Sequence, residues 1–155
     1  MENHEYYMKI ALEEAKKAYG KGEVPVGAVL VVDGVVVAKN HNRREENQQA
    51  LAHAEVLVIE EACRKIGFWR LDNSTLYTTV EPCVMCSGVI VQARIEKVVY
   101  GAKDEKYGCC GTLFNLVDNP SFNHRAEIIS GILKEECSSI MTNFFRELRL
   151  RKKTR

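Results

Sequence analysis

A chain of 155 residues, 46% of them hydrophobic, has the length of one domain and enough apolar side chain to bury a substantial core. Its 22 Lys+Arg against 21 Asp+Glu leave a net charge of +1, which excludes a molecule-wide pull on polyanions and confines any nucleic-acid contact to a local face. No run reaches the ~20 apolar residues of a bilayer span, and residues 1–5 lack the basic start and apolar middle of a signal peptide, so a cytoplasmic protein with no membrane segment is expected.

Met8, Leu12, Ala15 and Tyr19 recur at helical spacing, with Glu13, Glu14, Lys16 and Lys17 assigned to the opposite face, and predict a helix over 5–18 that Gly20 and Gly22 stop. Two β-rich runs, 26–32 and 35–38, flank Asp33-Gly34 and predict a hairpin. Both runs are nearly continuous in apolar residues, so the sheet is expected to be covered on both faces. The polar stretch 40–49 reads as a loop at the sheet's edge. A second helix is predicted over 52–66, with His53 and Glu55 in its first turn and Gly67 at its end. Residues 75–80 read as a strand that Glu81-Pro82 turns into a helix over about 83–93, followed by a strand at 97–101. The long stretch 102–120 is expected to be mostly irregular, and irregular stretches of that length usually carry function. A short strand at 126–129 and a helix over about 133–148 follow, ending in a basic tail at about 149–155. Alternation of strand and helix after the hairpin predicts a layered α/β domain with a partly parallel sheet. Of the six cysteines, Cys63 and Cys137 fall within helical patterns and read as small buried apolar residues.

The chemistry lies in a split motif, His53-Ala54-Glu55 and Pro82-Cys83-Val84-Met85-Cys86. One imidazole, two thiols and a free carboxylate are the inventory of a zinc site that keeps a position open for water. Cysteines three apart at a helix start share a face, and the exposed amides there favour thiolate. His53 supplies a third ligand if the two helix starts meet, as they do at the carboxyl ends of strands in open α/β sheets. Glu55 stands two residues from His53, where an ideal helix would direct it away, so a loose first turn is required for it to serve as proton shuttle. The competing readings are a redox dithiol and a non-enzymatic structural zinc module closed by Cys109, Cys110, His41 or His124. None of those four is spaced as a second Cys-x-x-Cys or a His pair.

His-x-Glu followed by Pro-Cys-x-x-Cys is the signature of the zinc nucleobase deaminases. Beyond it, the chain resembles the bacterial tRNA-specific adenosine deaminases of the cytidine-deaminase superfamily over nearly its whole length. The resemblance is carried by Val24-Pro25-Val26-Gly27-Ala28-Val29, Asn40-His41-Asn42-Arg43, Ala52-His53-Ala54-Glu55, residues 76–86, Gly101-Ala102-Lys103-Asp104, Phe122-Asn123-His124-Arg125 and Phe144-Phe145-Arg146. It implies a three-layer α/β/α cytidine-deaminase-like fold with a central five-stranded mixed sheet, formed by residues 1–155 as a single domain. It also implies a homodimer holding one Zn2+ per subunit and no other cofactor. The activity it implies is hydrolytic deamination of adenosine to inosine at the wobble position of a tRNA anticodon, by zinc-bound hydroxide with Glu55 as proton shuttle. His53, Cys83 and Cys86 then become the zinc ligands, and Asn42 hydrogen-bonds the purine, with Val26, Ala54 and Val80 near the base.

For the anticodon stem-loop, Lys106 and Asn123 match RNA-contact positions of that family, and Asp104 can accept a hydrogen bond from a ribose 2′-hydroxyl. Phe144 and Phe145 offer stacking platforms, although core packing is expected for at least one of them. The chain's end carries Arg146, Arg149, Arg151, Lys152, Lys153 and Arg155 against Glu147 alone, and reads either as a phosphate contact or as a solvated terminus. His124 reads equally as an RNA contact or a satisfied buried histidine. Two departures stand out: Gln49-Ala50-Leu51 replace the acidic, proline or threonine start expected before the metal-binding helix, and Cys109-Cys110 occupy positions where small residues are common. The nearest alternative function is a free-base or nucleoside deaminase acting on guanine, cytosine or cytidine.

Overall fold

The computed structural model describes residues 3–153; Met1, Glu2, Thr154 and Arg155, the last two belonging to the expected basic tail, lie outside the described residues. The elements follow as α1 (His4–Gly20), β1 (Gly27–Val32), β2 (Val35–His41), α2 (Arg44–Asn47), α3 (Ala54–Ile66), β3 (Ser74–Val80), α4 (Val84–Ala93), β4 (Lys97–Ala102), β5 (Glu127–Ser130) and α5 (Lys134–Lys153). The five strands lie in the order β2-β1-β3-β4-β5. β1 is antiparallel to both β2 and β3, whereas β3, β4 and β5 run parallel, so the sheet is mixed. Asp33 and Gly34 take φ of 51° and 77°, the pair of positive values that a two-residue hairpin turn requires.

Side chains alternate across a strand, and the near-continuous apolar runs therefore feed two cores. Leu30, Leu76 and Val98 pack on one face with Ala54, Val58, Ile59 and Ala62 of α3 and Ile90 and Val91 of α4. Val29, Val31, Tyr77 and Val99 pack on the other with Met8, Ala11 and Leu12 of α1 and Cys137 of α5. This is the expected three-layer α/β/α arrangement with a five-stranded mixed sheet. The outer layers sit close on the sheet: a Cβ at Gly27 would lie 1.9 Å from the Ala11 carbonyl oxygen, and one at Gly101 would lie 2.3 Å from Cys137 Sγ. No helix among the described residues is long and apolar enough to cross a membrane.

Four expectations need correction. The polar stretch 40–49 is not all loop, because β2 runs on to His41 and α2 follows; four residues show no periodicity, and α2's start is satisfied from outside, by the Glu23 carboxylate accepting from the Glu45 and Glu46 amides at 3.0 and 2.7 Å. The basic tail is not a separate appendage, since α5 continues through residues 149–153. Leu, Arg and Lys are good helix formers, and basic residues in a last turn oppose the negative end of the helix dipole. Glu14 is buried and not on the solvent face, lying three residues after Ala11 and four before Ala18 on the stripe that α1 presents inward. Cys63 is only half-buried, with its thiol reaching the Trp69 carbonyl at 3.6 Å, whereas Cys137 is fully buried as expected.

Candidate active site

Two helix starts meet on the α3/α4 face of the sheet. His53 and Cys83 are the residues just before α3 and α4, both with extended backbone (φ −76°, ψ 148° and φ −79°, ψ −177°), and neither side chain caps its helix. Their donor atoms are therefore left to face one another. His53 Nδ1 stands 3.6 Å from Cys83 Sγ and 3.5 Å from Cys86 Sγ, and the three ligand atoms lie within 4.8 Å of one another. Bonds of about 2.3 Å to sulfur and about 2.0 Å to nitrogen at a tetrahedral angle would separate an imidazole nitrogen from a thiolate by roughly 3.5 Å, so the donor set fits zinc without rearrangement.

The other residues that could close the site are engaged elsewhere. Buried His41 bonds Glu14 Oε1 through Nδ1 at 3.0 Å and meets Lys21 Nζ through Nε2 at 3.2 Å. His124 Nε2 bonds the Ile95 carbonyl at 2.6 Å, Cys109 Sγ reaches the Tyr107 carbonyl at 3.5 Å, and Cys110 Sγ lies 3.6 Å from Ser87 Oγ. Among the described residues no fourth His, Cys, Asp or Glu joins the group.

Glu55 is the second residue of α3 and is buried. Because His53 lies outside the helix with extended backbone, the 100° step of an α-helix does not separate the two side chains, and the Glu55 carboxyl turns back to bond the Cys86 thiol. Burial pushes the Glu55 carboxyl up to about 7, against the opposing pull of His53. The hydrogen bond from Cys86, helped by His53, brings the Cys83 thiol down to about 4, while the same bond and burial push Cys86 up. His53 is raised by its bond to Cys83. The cluster thus favours negative charge on Cys83 and a proton on its neighbours His53 and Cys86, with the Glu55 carboxyl raised beside them. The approach to α3 that replaces the expected cap is a pair of tight turns, Ala52 N–H to the Gln49 carbonyl at 3.1 Å and His53 N–H to the Leu51 carbonyl at 2.8 Å.

The chain also ties the neighbouring segments to this centre. Asn42 is buried at the exit of β2, where its N–H bonds the Val26 carbonyl at 3.0 Å, its Nδ2 the Val24 carbonyl at 3.2 Å, and its Oδ1 accepts from the Arg44 amide at 3.2 Å. The Arg43 amide bonds the Ala52 carbonyl at 3.0 Å, which links this exit to the residue before His53. Val26 packs against the core cluster that contains Ala54, and Val80 is buried at the end of β3, three residues before Cys83.

The six expected RNA residues are dispersed. Asp104 is half-buried and its Oδ1 caps a turn, accepting from the Lys106 and Tyr107 amides at 3.0 and 3.1 Å, while the Lys106 side chain is exposed. Exposed Asn123 borders a depression along α4 lined by Gly88, Val91, Leu116 and Phe122. Phe144, Phe145 and Arg149 lie on α5, across the sheet from α3 and α4. Phe144 is buried edge-on against Tyr19, with ring centres 5.7 Å apart, while Phe145 and Arg149 are exposed. Sequence reasoning missed the buried carboxylates Glu14, Glu23 and Glu81, each of which bonds groups far along the chain. For Glu14 the signal was its place on the Ala11–Ala18 stripe; for Glu81 it was an acid at the end of a buried strand.

The MafB19-like deaminase family model matches residues 2–149. The tRNA-specific adenosine deaminase of Bacillus subtilis (strain 168) is 58% identical over 153 residues, covering 99% of this chain and 95% of its own. A solved structure from work on A-to-I editing by tRNA:A34 deaminases at the wobble position of transfer RNA superposes with a TM-score of 0.84 at 41% identity, covering 87% of this chain and 98% of its own. A guanine deaminase from Bacillus subtilis superposes with a TM-score of 0.63 at 40% identity, covering 66% of each chain.

Proposed function

The chain is a deaminase that belongs to the tRNA-specific adenosine deaminase family, and from that premise we propose that it converts adenosine to inosine at the wobble position of a tRNA anticodon. The observation that carries the chemistry is the His53 imidazole held 3.6 and 3.5 Å from two thiols, with a buried carboxyl near neutrality beside them. His53, Cys83 and Cys86 would hold zinc, which when bound supplies a Lewis acid that lowers the pKa of water toward neutrality.

The remaining steps belong to the chain's own groups. Glu55 takes a proton from the attacking water and delivers it to the purine ring nitrogen, then moves the second proton to the departing amine, so that adenosine and water become inosine and ammonia. Burial raises the Glu55 carboxyl, which strengthens it as the base for the first transfer. Asn42 exchanges its bonds to the Val24 carbonyl and Arg44 amide for the edge of the purine, and Val26, Ala54 and Val80 form the apolar walls beside the base. Lys106, Asn123 and Arg149 contact the RNA backbone and Asp104 reaches a ribose hydroxyl. Phe145 supplies a stacking face that buried Phe144 backs. Residues 1–155 act as one domain, in a cytoplasmic homodimer with one zinc per subunit.

The test is incubation of the zinc-loaded protein with an anticodon stem-loop carrying adenosine at the wobble position, in parallel with free guanine, cytosine and cytidine. Inosine in the RNA is the expected result. Turnover of a free base or nucleoside without turnover of the RNA would overturn the substrate assignment in favour of a free-base deaminase.

A further inference from the structure

Residues 104–116 have little regular structure, yet they fold around a single buried carboxylate. Glu81 is 2% exposed. Its Oε1 accepts from the Asp104 amide at 3.2 Å and the Thr112 hydroxyl at 2.5 Å, and its Oε2 from the Cys110 and Thr112 amides at 2.9 and 3.1 Å. An ionised carboxylate offers about four acceptor positions, and these four donors fill them. None of the four is a cation, so amide and hydroxyl dipoles face the charge in the manner of an anion-binding nest.

Two further features tie this arrangement to the reaction centre. The loop is stitched to the backbone just before the metal ligands, through the Glu81 amide to the Ala102 carbonyl and the Cys109 amide to the Pro82 carbonyl, both at 2.9 Å. It also closes tightly on the carboxylate, because a Cβ at Gly108 would stand 2.5 Å from Glu81 Cδ and 2.5 Å from the Asp104 carbonyl oxygen. A buried carboxylate costs desolvation that an apolar side chain would not, which makes conformational specificity a better account of Glu81 than stability.

We propose that Glu81 is a positioning residue: by gathering the amides of Asp104, Cys110 and Thr112 one residue before Pro82-Cys83, it fixes the loop bearing Asp104 and Lys106 in register with the metal-ligand group. The proposal rests on the reading of Asp104 and Lys106 as RNA contacts. Through it, the spacing between the RNA-holding loop and the deamination centre is set by one side chain that touches neither RNA nor metal.

The experiment compares zinc-loaded wild type, Glu81→Gln and Thr112→Val by zinc content, hydrogen exchange of residues 104–112 and steady-state kinetics on the anticodon stem-loop. Glu81→Gln sets an amide NH2 against N–H donors. It is expected to keep its zinc, lose protection at Asp104, Cys110 and Thr112, and raise KM for the RNA about tenfold while kcat changes by less than about threefold. Thr112→Val loses only the hydroxyl and should shift KM the same way by less. Lost protection with an unchanged KM would make Glu81 a purely structural residue and overturn the proposal, as would loss of zinc and kcat with KM unchanged. If Glu81→Gln does not fold, Thr112→Val decides, and a wild-type KM there overturns it. A wild-type protein inert toward the stem-loop would sink the functional reading first, and this proposal with it, before any variant is compared.

Discussion

At the scale of single residues, the site depends on two side chains that sit just outside helices. His53 and Cys83 hold extended backbone before α3 and α4, and this geometry lets Glu55 approach the group although it is only two positions from His53. Residue types and spacing made the His53, Cys83 and Cys86 group, a set that could hold a metal ion, legible in the sequence. The backbone at a helix start is not encoded in spacing, so the route by which Glu55 arrives was not legible. Glu55→Ala is expected to retain zinc and fold while losing about 10²–10⁴-fold in kcat, the usual scale of general acid–base catalysis, as measured by inosine formation beside metal analysis. Substantial residual turnover would assign the proton transfers to another group. The Glu14–His41 pair was hidden for a different reason, since each residue looks polar locally and the partners are 27 positions apart. Burial holds the His41 imidazole below its ordinary 6.5. For Glu14, burial pushes the carboxyl up, but hydrogen bonds from His41 and Lys17 outweigh it and hold it below 4.5. Both groups therefore bind fewer protons folded than unfolded at intermediate pH, and the stability that this pair contributes rises with pH there. The His41 contribution is complete above pH 6.5 and is lost as pH falls through the folded value, while Glu14's is complete above pH 4.5 and is lost further into acid. Thermal unfolding of wild type and His41→Gln compared from pH 7.5 to 5 should show the wild type losing more Tm than the variant as the pH falls, the difference separating this pair from Glu55, whose raised carboxyl acts in the opposite sense; equal changes in the two proteins would place the titrating group elsewhere.

At the scale of elements, the hairpin and the long helices were legible because their signals are local: Asp-Gly between apolar runs, and apolar residues at helical intervals. α2 was not, because it has four residues and its amides are satisfied by Glu23 from a separate turn. The end of α5 was not legible either, since a run of basic residues is compatible with both a solvated tail and a helix, and only the structure shows 149–153 continuing the helix. That continuation alters the RNA hypothesis at this element, because a helix presents its charges on a fixed face where a loose tail would not. Replacing Arg149, Lys152 and Lys153 together with Gln keeps helix propensity and removes three charges. If these residues neutralise phosphates, the slope of log K against log salt should become shallower by about 0.7–0.9 for each phosphate left without its cation, read from stem-loop binding at several salt concentrations. An unchanged slope would identify the end of α5 as a solvated face whose charges serve the helix dipole alone.

At the scale of the whole molecule, the layered α/β class was legible because near-continuous apolar strands demand cover on both faces, and the two cores on either side of the sheet meet that demand. How the strands order themselves was not, because the β2-β1-β3-β4-β5 arrangement depends on which edges the crossing helices leave open. The architecture has a consequence for the metal. The donors come from two helix starts 30 positions apart, whereas both hydrophobic cores are built from residues that do not include His53 or Cys83. A metal bound there should add stability by mass action to a fold that already stands: at about 100 times Kd the gain is about 2.7 kcal/mol, or roughly 5–10 °C in Tm for a chain of this length. Stripping the protein with a chelator should therefore lower Tm by that order and abolish deamination, yet leave a single cooperative transition, and zinc should restore both. Zinc affinity should also weaken as the pH is lowered, because the thiols and imidazole must give up protons to bind the ion. A chelated protein that loses cooperative unfolding altogether would show instead that the metal builds the fold.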